Sequence, residues 1–259
     1  MTRFLFVAVL ASVLSAGTSA HAQSYPNRTI KLVVPFPAGG ATDNAARLVA
    51  QRLQGSLGQS VIIENQGGAG GTIGTRQAAG AAPDGYTLLM ASIGTFGSMP
   101  LLYKLDFDPQ RAFAPVATAV IDKSALVVRP SLPVKTIGEL VAYAKAHPGQ
   151  LTYGSAIGIG PHFIAELFKI KSGTDIVHIP YRGGAPMVAD LVAGQIDMTV
   201  NGKSVLLPQI QAGKLRALAV PASAGPSFPT FRRWSRRDIW TRPTTPCSAS
   251  LRPPARRPR

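Results

Sequence analysis

Four short turns rich in glycine and serine are the places where this chain could do chemistry. Phe36-Pro37-Ala38-Gly39-Gly40 follows an apolar run at 30–35 and precedes an amphipathic stretch that Thr42 or Asp43 can cap. Ser92-Ile93-Gly94, the segment 155–161 and the segment 181–185 repeat that arrangement. Glycine lets backbone N–H groups turn toward a bound group, and a helix start adds the positive end of its dipole. Such a seat suits an anion, a carboxylate or a phosphate. Each turn could equally be a tight strand-to-helix connection that needs only small residues. Their repetition just after strands favours binding, because open α/β sheets hold ligands at the carboxyl ends of their strands. The candidate contacts are Phe36, Ala38, Gly39, Gly40 and Asp43 in the first turn, and Ser92 and Gly94 in the second. Ser155, Gly158 and His162 belong to the third, and Tyr181, Gly183, Gly184 and Ala185 to the fourth.

Catalytic readings have less to stand on. Gly68-x-Gly70 with Gly74 departs from the G-x-G-x-x-G spacing of a dinucleotide loop, and no acidic residue ends a strand near position 90. A G-x-x-x-x-G-K-[ST] phosphate loop is absent, and Gly154-Ser155 are adjacent, which leaves no G-x-S-x-G elbow. Ser155 and His162 could form a nucleophile–base pair, or His162 could be a capping or packing residue. Arg182 could pair with a ligand carboxylate or lie solvated at the surface. Four histidines without clustering and a single cysteine, Cys247, give neither a metal site nor an intramolecular disulfide, so no cofactor is expected.

The elements that must position these turns alternate between short apolar strands and amphipathic helices. Strands are expected at 30–35, 61–63, 86–91, 126–128, 151–154, 176–179, 196–200 and 215–220. The first helix carries Ala45, Leu48, Val49 and Leu53 as its apolar stripe and stops at Gly55 or Gly58. A small-residue helix runs to about 82, and another element covers 93–103 with Pro100 inside it. Thr136 and Glu139 form a capping box ahead of Ile137, Leu140, Val141 and Ala144. Pro161 opens a helix with Ile164, Leu167 and Phe168, and Val188, Leu191 and Val192 mark the next, closed by Gly194. A last helix spans 206–212. The rhythm is α/β with largely parallel sheets. Two such rhythms in about 200 residues favour two lobes over one sheet.

Composition agrees and locates the chain. With 259 residues, 46% apolar and 15% charged, there is material for a substantial core and no case for global disorder. Residues 1–22 begin with Arg3, continue through an apolar run at 4–14 and end in Ala20-His21-Ala22, the order of a secretory signal peptide cut after Ala22. That run has 11 residues and is too short for a bilayer core of about 30 Å. The mature protein is expected in the periplasm. The net charge of +15 is uneven, since residues 221–259 hold nine Arg, one Asp, no Lys and no Glu. An arginine tail can bind nucleic acid, but export argues against that partner.

The same segments carry a family resemblance. Tyr25-Pro26-Asn27-Arg28, Val34-Pro35-Phe36-Pro37-Ala38-Gly39-Gly40-x-x-Asp43 and Val61-Ile62-Ile63-Glu64-Asn65 come first, with Gly67, Gly68, Gly70 and Gly71 behind them. Pro83-Asp84-Gly85-Tyr86-Thr87-Leu88-Leu89, Tyr181-Arg182-Gly183-Gly184 with Gly194-Gln195-Ile196-Asp197, and Gly213-Lys214-Leu215-Arg216-Ala217-Leu218-Ala219-Val220 follow in order. As a set, from about 25 to 220, they resemble the substrate-binding proteins of tripartite tricarboxylate transporters, the Bug receptors. The resemblance implies a two-lobed periplasmic binding protein fold, type II-like. It also implies a monomer that holds a small di- or tricarboxylate or related organic acid and delivers it to membrane transporter subunits. The alternative is a secreted α/β enzyme acting on a small anion. Asn-Pro is usual in the family where Ser98-Met99-Pro100 stand, and Phe-Asp where Asn201-Gly202 stand.

On this reading lobe one starts at 23–124, lobe two fills 125–214, and 215–221 returns to lobe one. Family members then continue and complete lobe one, whereas this chain turns into eight prolines and nine arginines. Back-translated with permitted codons and read two bases on, Phe228 to Trp234 can give Pro-Asp-Val-Pro-Thr-Val, the family's next stretch. A frameshift between about 220 and 228 is therefore expected, leaving lobe one incomplete at its C-terminus and 222–259 as a disordered tail.

Overall fold

The structure, a computed structural model, describes residues 25–220. The signal peptide expected at 1–22 and the tail expected from 222 lie outside the described residues. Two separate sheets make two lobes. In the first, β1 (Ile30–Val34) lies between β2 (Val61–Asn65) and β3 (Thr87–Leu89), all parallel. Helix α1 (Ala41–Leu57) connects β1 to β2 and ends at Gly58, whose left-handed φ of 66° suits glycine. Its buried face is Asp43, Ala45, Ala46 and Ala50, while Leu48 is 62% exposed. The expected stripe is therefore rotated. Alanines let the helix sit close over Ile30, Leu32 and Val34, and the larger Leu48 turns out to solvent.

After β2 a 3₁₀ turn (Ala69–Gly71) leads into α2 (Thr72–Ala79), which is shorter than expected. It presses on the end of β1: a Cβ at Gly74 would lie 2.6 Å from the Gln66 carbonyl and 2.9 Å from Pro35 Cα. The element expected at 93–103 is two short helices, α3 (Ile93–Gly97) and α4 (Met99–Leu102), divided at Ser98. Pro100 falls in the first turn of α4, where its missing N–H costs nothing. A further short helix, α5 (Pro109–Ala112), which sequence reasoning missed, is capped by Asp108.

The second sheet has five strands. Its order is β6 (Val177–Pro180), β5 (Thr152–Ser155), β7 (Met198–Gly202), β4 (Ser124–Val128) and β8 (Arg216–Ala219). β5 is parallel to β6 and β7, but β4 runs antiparallel to both of its neighbours. The sheet is thus mixed rather than largely parallel. β8 also corrects an expectation, because it does not return to lobe one but closes the outer edge of lobe two beside β4. Its residues explain the choice: Ala217, Leu218 and Ala219 are all buried within lobe two's own clusters.

Alternation along these strands feeds two apolar layers. Leu126, Val128, Tyr153, Met198 and Val200 face Leu140 and Ala144 of α6 (Ile137–Ala146) and Ala165 and Phe168 of α7 (Gly160–Ser172). Ala125 and Val127 face Met187, Val188 and Leu191 of α8 (Gly184–Val192) and Leu206 of α9 (Lys203–Gln211). At the start of α6 the Thr136 hydroxyl accepts from the Glu139 N–H at 3.1 Å. The Glu139 carboxylate reaches the Lys135 N–H rather than that of Thr136.

Candidate functional site

The expected turns all leave the carboxyl ends of parallel strands, and the fold brings them together between the lobes. The turn after β1 meets the turn after β6. A Cβ built on Gly39 would sit 3.5 Å from Ala185 Cβ, one on Gly40 would sit 3.9 Å from the Gly184 nitrogen, and one on Gly183 would overlap Pro37 at 2.7 Å. Gly40 caps α1 and Gly183 caps α8, so two helix N-termini face each other across the lobe boundary. Each contributes N–H groups without an intrahelical partner and the positive end of a dipole. Backbone can approach this closely only because side chains are absent at Gly40, Gly183 and Gly184. Gly39 must be glycine for a second reason, its left-handed φ of 77°.

Asp43 holds this turn in shape. Its carboxylate, 1% exposed, accepts from the Gly39 N–H at 2.8 Å, from Arg47 Nε at 2.8 Å and from Asn65 Nδ2 at 2.9 Å. Burial by itself would raise its pKa. Hydrogen bonds from Arg47, the Gly39 N–H and Asn65 outweigh that, and the carboxyl stays below its ordinary value. Two expectations change as a result. Asp43 does not cap α1, because it lies inside the first turn and reaches back to Gly39, and it does not face a ligand. The Gly39 N–H already has an acceptor and is not a free donor. Phe36 is buried, and its carbonyl accepts from Asn65 Nδ2 at 3.1 Å, while Ala38 and Gly39 are exposed at the rim.

The turn after β3 meets the turn after β5. The Ser98 hydroxyl donates to the Gly158 carbonyl across the lobes. A Cβ on Gly94 would sit 2.7 Å from that same carbonyl, and one on Gly158 would sit 2.7 Å from Leu102 Cδ1. Ser92 heads α3 in a capping box with Thr95, its N–H donating to Thr95 Oγ1 at 3.2 Å. Behind Gly158, the Ser155 hydroxyl is shared by two imidazoles, His162 Nδ1 at 2.9 Å and His178 Nε2 at 2.8 Å. Tyr153 stacks on His178 and donates to Glu166, which also takes Lys169 Nζ at 3.0 Å. Burial, and then the neighbouring His178, hold the pKa of His162 below its ordinary value against the opposing pull of Glu166. Ser155 therefore does meet His162, but it is 2% exposed and tied from two sides, a packing arrangement rather than an open nucleophile.

Tyr181 takes a supporting place too. Its hydroxyl donates to Asp190 at 2.7 Å, its backbone N–H donates to the Ser155 carbonyl at 2.9 Å, and burial with Asp190 beside it pushes the phenol up to about 12. Sequence reasoning missed Asn65 and Asn201 as parts of the site. Both are polar residues ending an otherwise apolar strand beside a glycine-rich turn, and that position was the available signal. His178 was missed because it alternates with Val177 and Ile179 in a strand and reads there as an ordinary sheet residue. Among the described residues no group of acidic, histidine or cysteine side chains could hold a metal ion. No described helix is long and apolar enough to cross a membrane.

Two α/β lobes with backbone-lined turns converging between them define the periplasmic binding protein class of fold. Within that class the chain belongs to the tripartite tricarboxylate transporter family of receptors, whose profile matches residues 45–232. It is 39% identical to protein BugT of Bordetella pertussis over 232 residues, covering 86% of this chain and 70% of that protein. A second Bordetella pertussis relative, a protein of the UPF0065 group, is 41% identical over 213 residues, covering 81% of this chain and 65% of that protein. The chain thus spans about two thirds of the length of these relatives. Among solved structures, a Rhodopseudomonas palustris protein with adipate superposes at a TM-score of 0.80 with 35% identity, over 83% of this chain and 73% of that one. MatC of Rhodopseudomonas palustris, with bound malate, gives 0.72 and 35% over 77% of this chain and 68% of that one. This is a family of substrate-binding transport receptors and not of enzymes, which agrees with a structural role for the Ser155–His162 contact.

Proposed function

We propose that this chain is an extracytoplasmic receptor that closes its two lobes on a small carboxylate, a di- or tricarboxylate or related organic acid, and presents it to the membrane subunits of a tripartite tricarboxylate-type transporter. One observation carries the reading: the N-termini of α1 and α8 face each other at Gly40 and Gly184, on opposite sides of the lobe boundary. An anion seated there contacts both lobes at once. Only contacts that differ between open and closed forms can drive closure, and a ligand bridging two helix ends meets that requirement. The Ser98–Gly158 hydrogen bond then fastens the other end of the boundary. The adipate and malate held by the two Rhodopseudomonas palustris neighbours are the chemistry such a seat would take. A thermal-shift screen of mono-, di- and tricarboxylates including malate, adipate and citrate, followed by calorimetry, tests the reading. Stabilisation by a carboxylate and none by its methyl ester is expected. Equal response to acid and ester would overturn it.

A further inference from the structure

Asn201 lies at the end of β7 with 5% of its surface exposed. Its Oδ1 accepts the N–H of the next residue, Gly202, at 2.7 Å, and this contact decides which way the amide points. The Nδ2 end is turned to the first residue of α8, where a Cβ on Gly184 would lie 2.8 Å from it. Gly184 is also where the Gly40 end of α1 arrives. Among the described residues no acceptor is bonded to Nδ2. An amide on a buried residue, with its oxygen already engaged, has only its NH₂ group left to use, so it seeks an acceptor in front of it.

The surroundings bear on what that acceptor is. The nearest negative charge is Asp122, packed against Gly202. It is taken up by α9, accepting from the Ser204 hydroxyl at 2.6 Å and from the Ser204 N–H at 3.4 Å. Asp43 is likewise consumed by Arg47, Asn65 and Gly39. Neither carboxylate is left to accept from Asn201.

We infer that Asn201 is a specificity-determining residue of the cleft: its amide donates to an ionised carboxylate of the ligand at the junction of α1 and α8, and its neutrality lets that charge in. The inference rests on the carboxylate reading of the same cleft and adds the residue that selects for charge. An aspartate has the same shape but places a negative charge and no donor there, so Asn201→Asp separates charge from packing.

The full chain and its Asn201→Asp, Asn201→Leu and Asn201→Ser variants would be titrated with malate, adipate and citrate at pH 7.5, with circular dichroism and thermal unfolding as controls on the fold. Asn201→Asp is expected to lose at least tenfold in affinity and to regain part of it at acidic pH, where the introduced carboxyl is protonated. Asn201→Leu, which removes the donor without adding charge, is expected to lose about fivefold and keeps the test open if the aspartate variant does not fold. Asn201→Ser retains a donor and should stay within about threefold. Undiminished affinity in folded Asn201→Asp or Asn201→Leu overturns the inference and leaves the carboxylate reading standing. If the unmodified chain binds none of the three acids, the carboxylate reading fails and this inference with it.

Discussion

The two lobes solve the same problem with different means. Lobe two has five strands with an apolar cluster on each face, and its half of the cleft is braced by side chains: Ser155 between two histidines, Tyr181 on Asp190. Lobe one has three described strands and one such cluster, and its half of the cleft is braced by one buried carboxylate, Asp43. The largest apolar exposures also gather in lobe one and the segment leaving it, with Ile93, Leu101, Val116 and Ile121 all above 80%. A sheet covered on both faces can spread its support over many contacts. A small one concentrates it. Substitutions in lobe two should therefore trade mainly in stability, and those in lobe one's turn mainly in binding.

The sharpest way to break that contrast is at Phe168, 1% exposed in the layer between α7 and the sheet. Phe168→Ala should cost about 3–5 kcal/mol in chemical denaturation, through lost transfer energy and the cavity left behind. A cost near zero would mean that lobe two is not the packed partner. Asp43→Ala comes next. It strips the acceptor from the Gly39 N–H, Asn65 and Arg47, and a lost bond to a charged group costs about 1.5–3 kcal/mol. Calorimetry should show a larger fall in carboxylate affinity than in unfolding free energy, and the reverse ratio would deny Asp43 its role in shaping the turn. Because the folded pKa of Asp43 is depressed, its contribution is present above the unfolded value of about 3.9 and is lost as pH falls through the folded value. Acid unfolding of the wild type below about pH 4, set against a flatter profile for the variant, checks the sign.

His162 is expected to have a smaller, pH-dependent effect. Its pKa is lowered in the fold, so the neutral ring that faces Ser155 is stabilising above the unfolded value of about 6.5. That contribution declines as pH falls toward the folded value. Thermal unfolding from pH 7.5 to 5 should drop more steeply for the wild type than for His162→Gln, and parallel curves would show the ring to be a spectator. The smallest effect belongs to lobe one's surface. Ile62→Lys, at a residue 58% exposed, should change stability by less than about 0.5 kcal/mol. A large loss there would reveal that this side of β2 is covered in solution.

Sequence alone was enough for the α/β rhythm, the position of nearly every strand, the stop at Gly58, the Thr136 cap and the four turns that meet in the cleft. These follow from local rules: apolar period, helix ends and the backbone freedom of glycine. What tertiary structure decided was which groups in those turns remain free. Asp43, Gly39 and Tyr181 each looked like a ligand contact in one dimension. Each proved to be engaged with a residue that only folding brings near, respectively Asn65, Asp43 itself and Asp190. The reversed direction of β4, and the place of β8 beside it rather than in lobe one, were likewise beyond a local reading. An apolar tetrapeptide such as Arg216–Ala219 carries the signal to be a strand but none for which edge it joins. That choice belongs to the partners that bury it, and partners far apart in sequence leave no period to read.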